Sequence, residues 1–196
     1  MMQDKIQAVT GVHSVWHERW IFLKNFVRNP LRNASVIPSS EKAGRQVLAG
    51  LNWDRINTIV ELGPGNGTFT KLILERCKPD AFVILIELED SYLPMLQRKF
   101  GDRVHVVQDS AHRIHQILET FGLTRTDLIV SGLPILPQPV RGMVSEAILK
   151  ETRQGATYRF FTYMPFIMKW FYRKMPIRKM KFVLNNIPPM WIYGIN

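Results

Sequence analysis

Thr58 to Thr70 reads T-I-V-E-L-G-P-G-N-G-T-F-T, an apolar strand that runs into three glycines and the start of a helix. Ile59, Val60 and Leu62 give the strand, Gly63, Gly65 and Gly67 the turn, and the helix begins near Thr68. A second apolar strand, Phe82 to Ile86, ends on Glu87, twenty positions after Gly67. Glycines in such a turn let the backbone approach a ligand closely and aim amide groups at its polar end. A carboxylate at the tip of the next strand accepts hydrogen bonds from both hydroxyls of a ribose. Glycine turns also join strands to helices for steric reasons alone. With a strand before, a helix after and an acidic strand end at this spacing, the segment predicts a nucleoside site.

A turn built for a dinucleotide places its third glycine three residues after the second, where a pyrophosphate meets a helix start. Here the third glycine comes two residues after the second, and Glu61 stands just before the turn. Negative charge there repels a phosphate but suits a ligand with an ammonium group. S-adenosylmethionine is such a ligand, with an amino acid end, a sulfonium, a ribose and no phosphate. At these residues the chain resembles the class I methyltransferases. Their acidic first motif and G-x-G-x-G match Glu61, Gly63, Gly65 and Gly67, and their ribose acid matches Glu87. Their adenine-binding acid falls on Asp109 in V-H-V-V-Q-D-S-A. The resemblance implies S-adenosyl-L-methionine as cofactor and S-adenosyl-L-homocysteine as product, with Asn66, Leu88, Ser110 and Ser131 completing the binding set.

Strands are expected at 58–62, 81–87, 104–107, 127–131 and 157–163, with helices near 68–77, 91–100, 111–121 and 140–150. Alternation of this kind implies an α/β fold, a parallel sheet covered by helices on both faces. Two more strands, near 179–185 and 190–195, flank Asn185-Asn186-Ile187-Pro188-Pro189. The resemblance implies that they close a mostly parallel, seven-stranded Rossmann-like sheet as an antiparallel hairpin. Residues 1–50 are expected to be an N-terminal helical extension, and residues 51–196 the cofactor-binding methyltransferase domain. The chain of 196 residues, 46% hydrophobic, suffices for one core and is short for two ordinary domains.

Charge is unevenly distributed. Residues 1–50 carry a net +4, residues 51–140 a net −2 and residues 141–196 a net +8. Such asymmetry points to an anionic partner, nucleic acid or an acidic membrane surface, against the plainer reading of a solvated basic face. One cysteine, Cys77, excludes a disulfide framework and a cysteine-based zinc site. Met1 to Ala8 lacks the apolar core of a signal peptide, and no apolar run approaches the roughly 20 residues of a membrane-spanning helix. The expected location is cytoplasmic, peripheral to the inner face of the membrane.

The loop after the fourth strand faces the ligand in this architecture. It reads Ser131-Gly132-Leu133-Pro134-Ile135-Leu136-Pro137. The E-L-G-P-G-x-G motif also resembles that of the ribosomal RNA adenine dimethylases. Their fourth motif, however, starts with Asn or Asp and ends on an aromatic that stacks on the flipped base. Ser131 and Ile135 stand there instead, and no RNA-binding helical domain of their kind is expected after the last strand. Four ordered motifs resemble the bacterial phospholipid N-methyltransferases more closely: Phe22 to Ser40, Ser131 to Pro134, Phe160 to Tyr163 and Asn185 to Tyr193. That resemblance implies methylation of an amine-headed phospholipid such as phosphatidylethanolamine, with RNA adenine or a small molecule as the alternative acceptor. Met164 and the turn Glu151–Gly155 depart from the family's usual residues and put the head group and methyl count in question.

Val12, Val15, Trp16, Trp20, Phe22, Leu23, Phe26 and Val27 fall within an arc of about 160° on a helix, with cations along one edge. Such a face suits a membrane interface, or packs as a lid. Phe166 to Lys174 again mixes aromatics with cations, a combination that also suits single-stranded RNA. The site itself needs only to align donor and neutral amine. Tyr163 is the expected substrate-orienting residue, a cation–π partner for the growing methylammonium, and the carbonyls of the Ser131–Leu133 loop are expected to aim the amine. His112 and His115 share a helix face without a metal-binding pattern around them, so no metal is expected. Ser39 and Ser40 before Glu41 read as a helix N-cap.

Overall fold

The structure, a computed structural model, describes residues 41–163, 165, 166, 168, 172–184 and 189–196. The N-terminal amphipathic helix, the Ser39–Ser40 cap and the 185–188 turn fall outside the described residues, as does Met164. Seven strands are present: β1 (Thr58–Leu62), β2 (Phe82–Glu87), β3 (His105–Gln108), β4 (Leu128–Ser131), β5 (Thr157–Thr162), β6 (Arg178–Val183) and β7 (Met190–Ile195). They form one sheet in the order β3-β2-β1-β4-β5-β7-β6. The first five run parallel, while β7 is antiparallel to both β5 and β6. The expected hairpin is therefore there, with its second strand inserted between β5 and β6.

The helices are α1 (Glu41–Val47), α2 (Thr68–Leu74), α3 (Leu93–Phe100), α4 (Ile114–Thr120) and α5 (Val140–Arg153). Two expected helices begin with a tight 3-10 turn, Asp90–Tyr92 before α3 and Ala111–Arg113 before α4. Pro94 lies in the first turn of α3, where its missing amide hydrogen costs little. The α5 helix runs three residues past its expected end, so the turn before β5 shrinks to Gln154 and Gly155, the latter at φ 103°. The reason is Glu151: it is fully buried, and its side chain meets His115 of α4 at 3.1 Å, which anchors the last turn of α5.

Side chains of a strand alternate between the two faces of a sheet. Ile59, Val83, Leu85, Leu128, Val130 and Ile192 face one way and make a core with Val47, Phe69, Leu72 and Leu96 of α1, α2 and α3. Val60, Leu62, Ile84, Ile86 and Ile129 point to the other face, the one on which Ile114, Leu118, Val144 and Ile148 of α4 and α5 are buried. Strands covered on both faces carry apolar residues at nearly every position, which is why β2 reads V-I-L-I without alternation. Strand order reverses between β1 and β4, and in such sheets the ligand crevice lies at the carboxyl ends of those strands.

At the opposite end, Asp127 holds the sheet's start together. One carboxylate oxygen accepts from the amides of Asn57 (2.8 Å) and Thr58 (3.0 Å). Its own amide donates to the Thr58 carbonyl, and its carbonyl accepts from Thr157, so β1, β4 and β5 meet at one residue. Asp127→Ala should lower the unfolding free energy by about 1–3 kcal/mol, because two amides lose a charged acceptor. Urea unfolding reads the loss; binding of the expected cofactor at the other end of the sheet should not change.

Candidate active site

The three glycines of the turn all have positive φ, and each for a different reason. A Cβ on Gly63 would lie 2.9 Å from the Leu133 side chain, and one on Gly67 would lie 2.5 Å from the Phe100 ring. Those two are small because protein packs on them. A Cβ on Gly65 meets nothing within 4 Å, so this position faces the open crevice. Gly67 caps the start of α2, and Lys99 closes the outer side of the turn through the Asn66 carbonyl at 3.0 Å. The Asn66 side chain is turned to the helix, where its oxygen accepts from the Thr68 amide (3.2 Å) and hydroxyl (2.7 Å).

Glu87, at the tip of β2, is buried and ties the turn to the next loop. One oxygen accepts from the Gly65 amide at 3.0 Å; the other accepts from Leu88 (2.8 Å) and Glu89 (3.0 Å). A carboxylate has about four acceptor positions. Three are taken by amides, and the fourth is on the oxygen that faces Gly65. The sequence placed Glu87 correctly at a strand tip but gave no sign that it also braces the glycine turn.

Glu61 is buried on the same face of the sheet, and its carboxyl accepts from the Thr70 hydroxyl at 2.7 Å. Burial pushes its pKa up to about 8; the Thr70 bond opposes the rise and the charge of Glu87 adds to it. Near neutrality the carboxyl therefore holds its proton, and a cation beside it would draw the proton off. Thr70, which sequence reasoning did not single out, lies in the first turn of α2 and is the polar residue on that helix's buried face.

Beyond β3, Asp109 accepts from the Ser110 amide at 2.7 Å and pairs with Arg113 at 3.1 Å. Its amide donates to the Glu87 carbonyl, which brings the expected adenine acid beside the expected ribose acid. The buried Ser110 hydroxyl meets His112 at 2.8 Å, whereas His115 bonds Glu151 on α5 and faces Glu119 at 3.4 Å. The two histidines serve different partners, and no metal-binding cluster occurs among the described residues.

On the other side of the crevice, Ser131 ends β4 and is buried. Its hydroxyl accepts from the Leu133 amide at 3.3 Å and interacts with the buried hydroxyl of Tyr158. Leu133 packs over Gly63, and Gly132 crosses so near that a Cβ would sit 2.8 Å from the Gly63 carbonyl oxygen. Tyr163 directly follows β5; its ring meets Phe161 edge-on, and its hydroxyl is buried with no hydrogen-bond partner among the described residues. Glu61, Gly65, Glu87 and Asp109 thus gather on the β1–β3 side, and Ser131 and Leu133 on the β4 side.

The proton on Glu61 has a measurable consequence. Its folded pKa, about 8, lies above the ordinary 4.5. Between those values the unfolded chain gives up this proton while the folded protein keeps it. Stability from this group is thus full below 4.5 and falls as pH rises to about 8. Glu61→Gln keeps an acceptor for Thr70 and has no proton to lose. The variant should match the parent near pH 4.5 and exceed it at pH 8 by about 4 kcal/mol. Urea unfolding across that pH range checks it; parallel curves would show that Glu61 is already ionised.

Comparison with known proteins agrees with this geometry. The chain is 30% identical over 180 residues to an ornithine lipid N-methyltransferase of Singulisphaera acidiphila, which covers 89% of this chain and 93% of that protein. It is 32% identical over 122 residues to ribosomal RNA small subunit methyltransferase A of Acidobacterium capsulatum, 60% of this chain but 38% of that enzyme. In fold it is similar to 1,6-didemethyltoxoflavin-N1-methyltransferase of Burkholderia thailandensis, a structure that holds S-adenosylhomocysteine. There the TM-score is 0.55 at 13% identity, over 94% of this chain and 88% of the other. No protein-family model matches the chain. The open face of Gly65, the remaining acceptor position on Glu87 and the buried acid Glu61 suit a ligand with a ribose and an ammonium group. The chain belongs to the class I S-adenosylmethionine-dependent methyltransferases, with S-adenosyl-L-methionine as its cofactor.

Proposed function

We propose that this protein is a lipid N-methyltransferase that acts on the primary amine of a head group, with phosphatidylethanolamine as the expected acceptor. The observation that carries the reading is the likeness to the ornithine lipid N-methyltransferase, which runs through nearly the whole of both chains. The match to the ribosomal RNA enzyme takes in little more than a third of that enzyme. The β4 loop supports the same choice. A flipped adenine needs a side-chain acceptor for its amino group and a ring to stack on. The Ser131 hydroxyl is already engaged by Leu133 and Tyr158, and Ile135 has no π-face.

Bound S-adenosylmethionine supplies the activated methyl group. The chain's part is to hold and orient. Glu87 receives the ribose with the acceptor position that the three amides leave, and Gly65 gives the room. Glu61 is the counter-charge for the amino acid ammonium, and Asp109 and Ser110 border the adenine. Carbonyls of the Ser131–Leu133 loop aim the acceptor amine, which attacks only when neutral; an apolar surround lowers the pKa of an ammonium and so favours that form. Tyr163 offers the amine a ring face and a hydroxyl that nothing else among the described residues uses.

Two expected outcomes follow from those roles. Glu87→Ala should weaken S-adenosylmethionine binding by about 1.5–3 kcal/mol, the range for hydrogen bonds to a charged group. Gly65→Val, which fills the open face, should weaken it further. Calorimetry on folded variants with parental affinity would remove the cofactor roles given to both residues.

Labelled S-adenosylmethionine offered with phosphatidylethanolamine, an ornithine lipid and ribosomal RNA should label lipid and not RNA. Monomethyl and dimethyl products should form at least as readily as a trimethyl head group. Tyr163→Phe should fold at least as well as the parent, since the lost hydroxyl is buried and unbonded, yet transfer methyl more slowly. Tyr163→Ala should nearly abolish transfer with cofactor affinity retained. Dimethyladenosine in RNA without any lipid product would overturn the lipid reading.

A further inference from the structure

The edge strand β6 carries the sequence R-K-M-K-F-V, and its first five residues are exposed. Lysines and an irregular register are common protections of a sheet edge against pairing with another chain. They account for Lys179, Lys181 and the register shift between them. They do not account for the apolar side chains on the same edge: Met180 is 41% exposed, Phe182 40% and Leu184 67%. Phe166, a few residues beyond the end of β5, is 86% exposed.

Topology brings these residues to one end of the sheet. Because β7 is antiparallel to both neighbours, β6 runs in the direction of β5. Phe182 and Leu184 therefore lie at the carboxyl end, the end at which Ser131 and Glu87 border the crevice. Three strand spacings separate β6 from β4, about 14 Å. Phe182 is held in place by Trp191 of β7, their ring centroids 4.7 Å apart. Arg173, Lys174, Arg178 and Lys179 are exposed nearby in sequence, while Lys181 is tied to Gln46 at 2.6 Å. No acidic residue follows Glu151 in the sequence, so nothing in this segment offsets the cations.

We propose that the β6 edge, together with Phe166, is the surface by which the protein docks on an anionic lipid bilayer. Apolar side chains at the carboxyl end enter the interface, and the strand's cations meet the lipid phosphates. Two of the four exposed apolar residues, Met180 and Leu184, have no ring. Single-stranded RNA is held by stacking on rings, so this mixture fits a bilayer better than a nucleic acid. The inference rests on the lipid-amine reading of the active site, because docking there brings an amine-headed lipid beside the crevice.

Sedimentation with vesicles tests it directly. The parent should pellet with vesicles of phosphatidylglycerol and phosphatidylcholine in equal parts, less so as salt rises, and little with phosphatidylcholine alone. Arg178→Glu with Lys179→Glu should weaken binding to the mixed vesicles about tenfold or more. Phe166→Ser with Leu184→Ser should weaken it about fivefold, with less risk to the fold because both residues are largely exposed. Arg125→Glu, an exposed cation at the other end of the sheet, should bind as the parent does. Unchanged S-adenosylmethionine affinity confirms that each variant is folded. Parental vesicle binding by both double variants, an equal loss in Arg125→Glu, or a loss of RNA binding alone would overturn the proposal. The acceptor reading is judged separately, with lipid dispersed in detergent. Variants that methylate lipid in micelles but not in vesicles support the docking edge. A parent that methylates no lipid but still docks through β6 overturns the acceptor and leaves the surface standing.

Discussion

Two backbones cross at Gly63 and Gly132, and the site is arranged around that crossing. The loops leaving β1 and β4 come so near that neither position has room for an ordinary side chain. Gly132 donates to the Leu62 carbonyl and Gly63 to that of Ile86, so three strand ends are joined by main-chain bonds. The crossing lets Leu133 cover Gly63 and leaves Gly65 as the turn glycine that faces open space. With β1 flanked by parallel partners on both sides, the crevice opens where the strand order reverses, and the polar residues collect there.

The strand, turn and helix at 58–70 were legible because an apolar run, clustered glycines and an acidic strand tip each have a physical meaning at that spacing. Strand ends were legible to within about two residues, since fully covered strands read as plain apolar runs. The length of α5 was not. It depends on Glu151 meeting His115 from a different helix, 36 residues away, which no local pattern reports. The glycine triplet was legible as a turn, but the separate reasons for Gly63 and Gly67 lie in Leu133 and Phe100. The second role of Glu87, and the part of Thr70 beside Glu61, are likewise contacts between elements.

Class and acceptor rest on different parts of the molecule. The residues proposed to hold the cofactor, Glu61, Gly65, Glu87 and Asp109, lie on or just beyond β1, β2 and β3. Those proposed to meet the acceptor lie at the ends of β4 and β5, where Ser131 is bound up by its own loop and by Tyr158. Positive charge is concentrated in that second half, with a net +8 over residues 141–196 against −2 over residues 51–140. On the proposed roles the cofactor side is near neutral and the acceptor side basic, so the two ligands would meet different fields.

The inserted position of β7 also decides how the far edge of the sheet is held. β6 precedes β7 in sequence, yet in the sheet it touches only β7. Arg178–Val183 and residues 190–195 can pair as a local hairpin, but β6 joins the sheet only when β7 is laid along β5. Without that docking the hairpin hangs as a unit and β5 keeps an open edge. Among the described strands, β7 alone fixes the edge that carries Phe182 to the rest of the sheet.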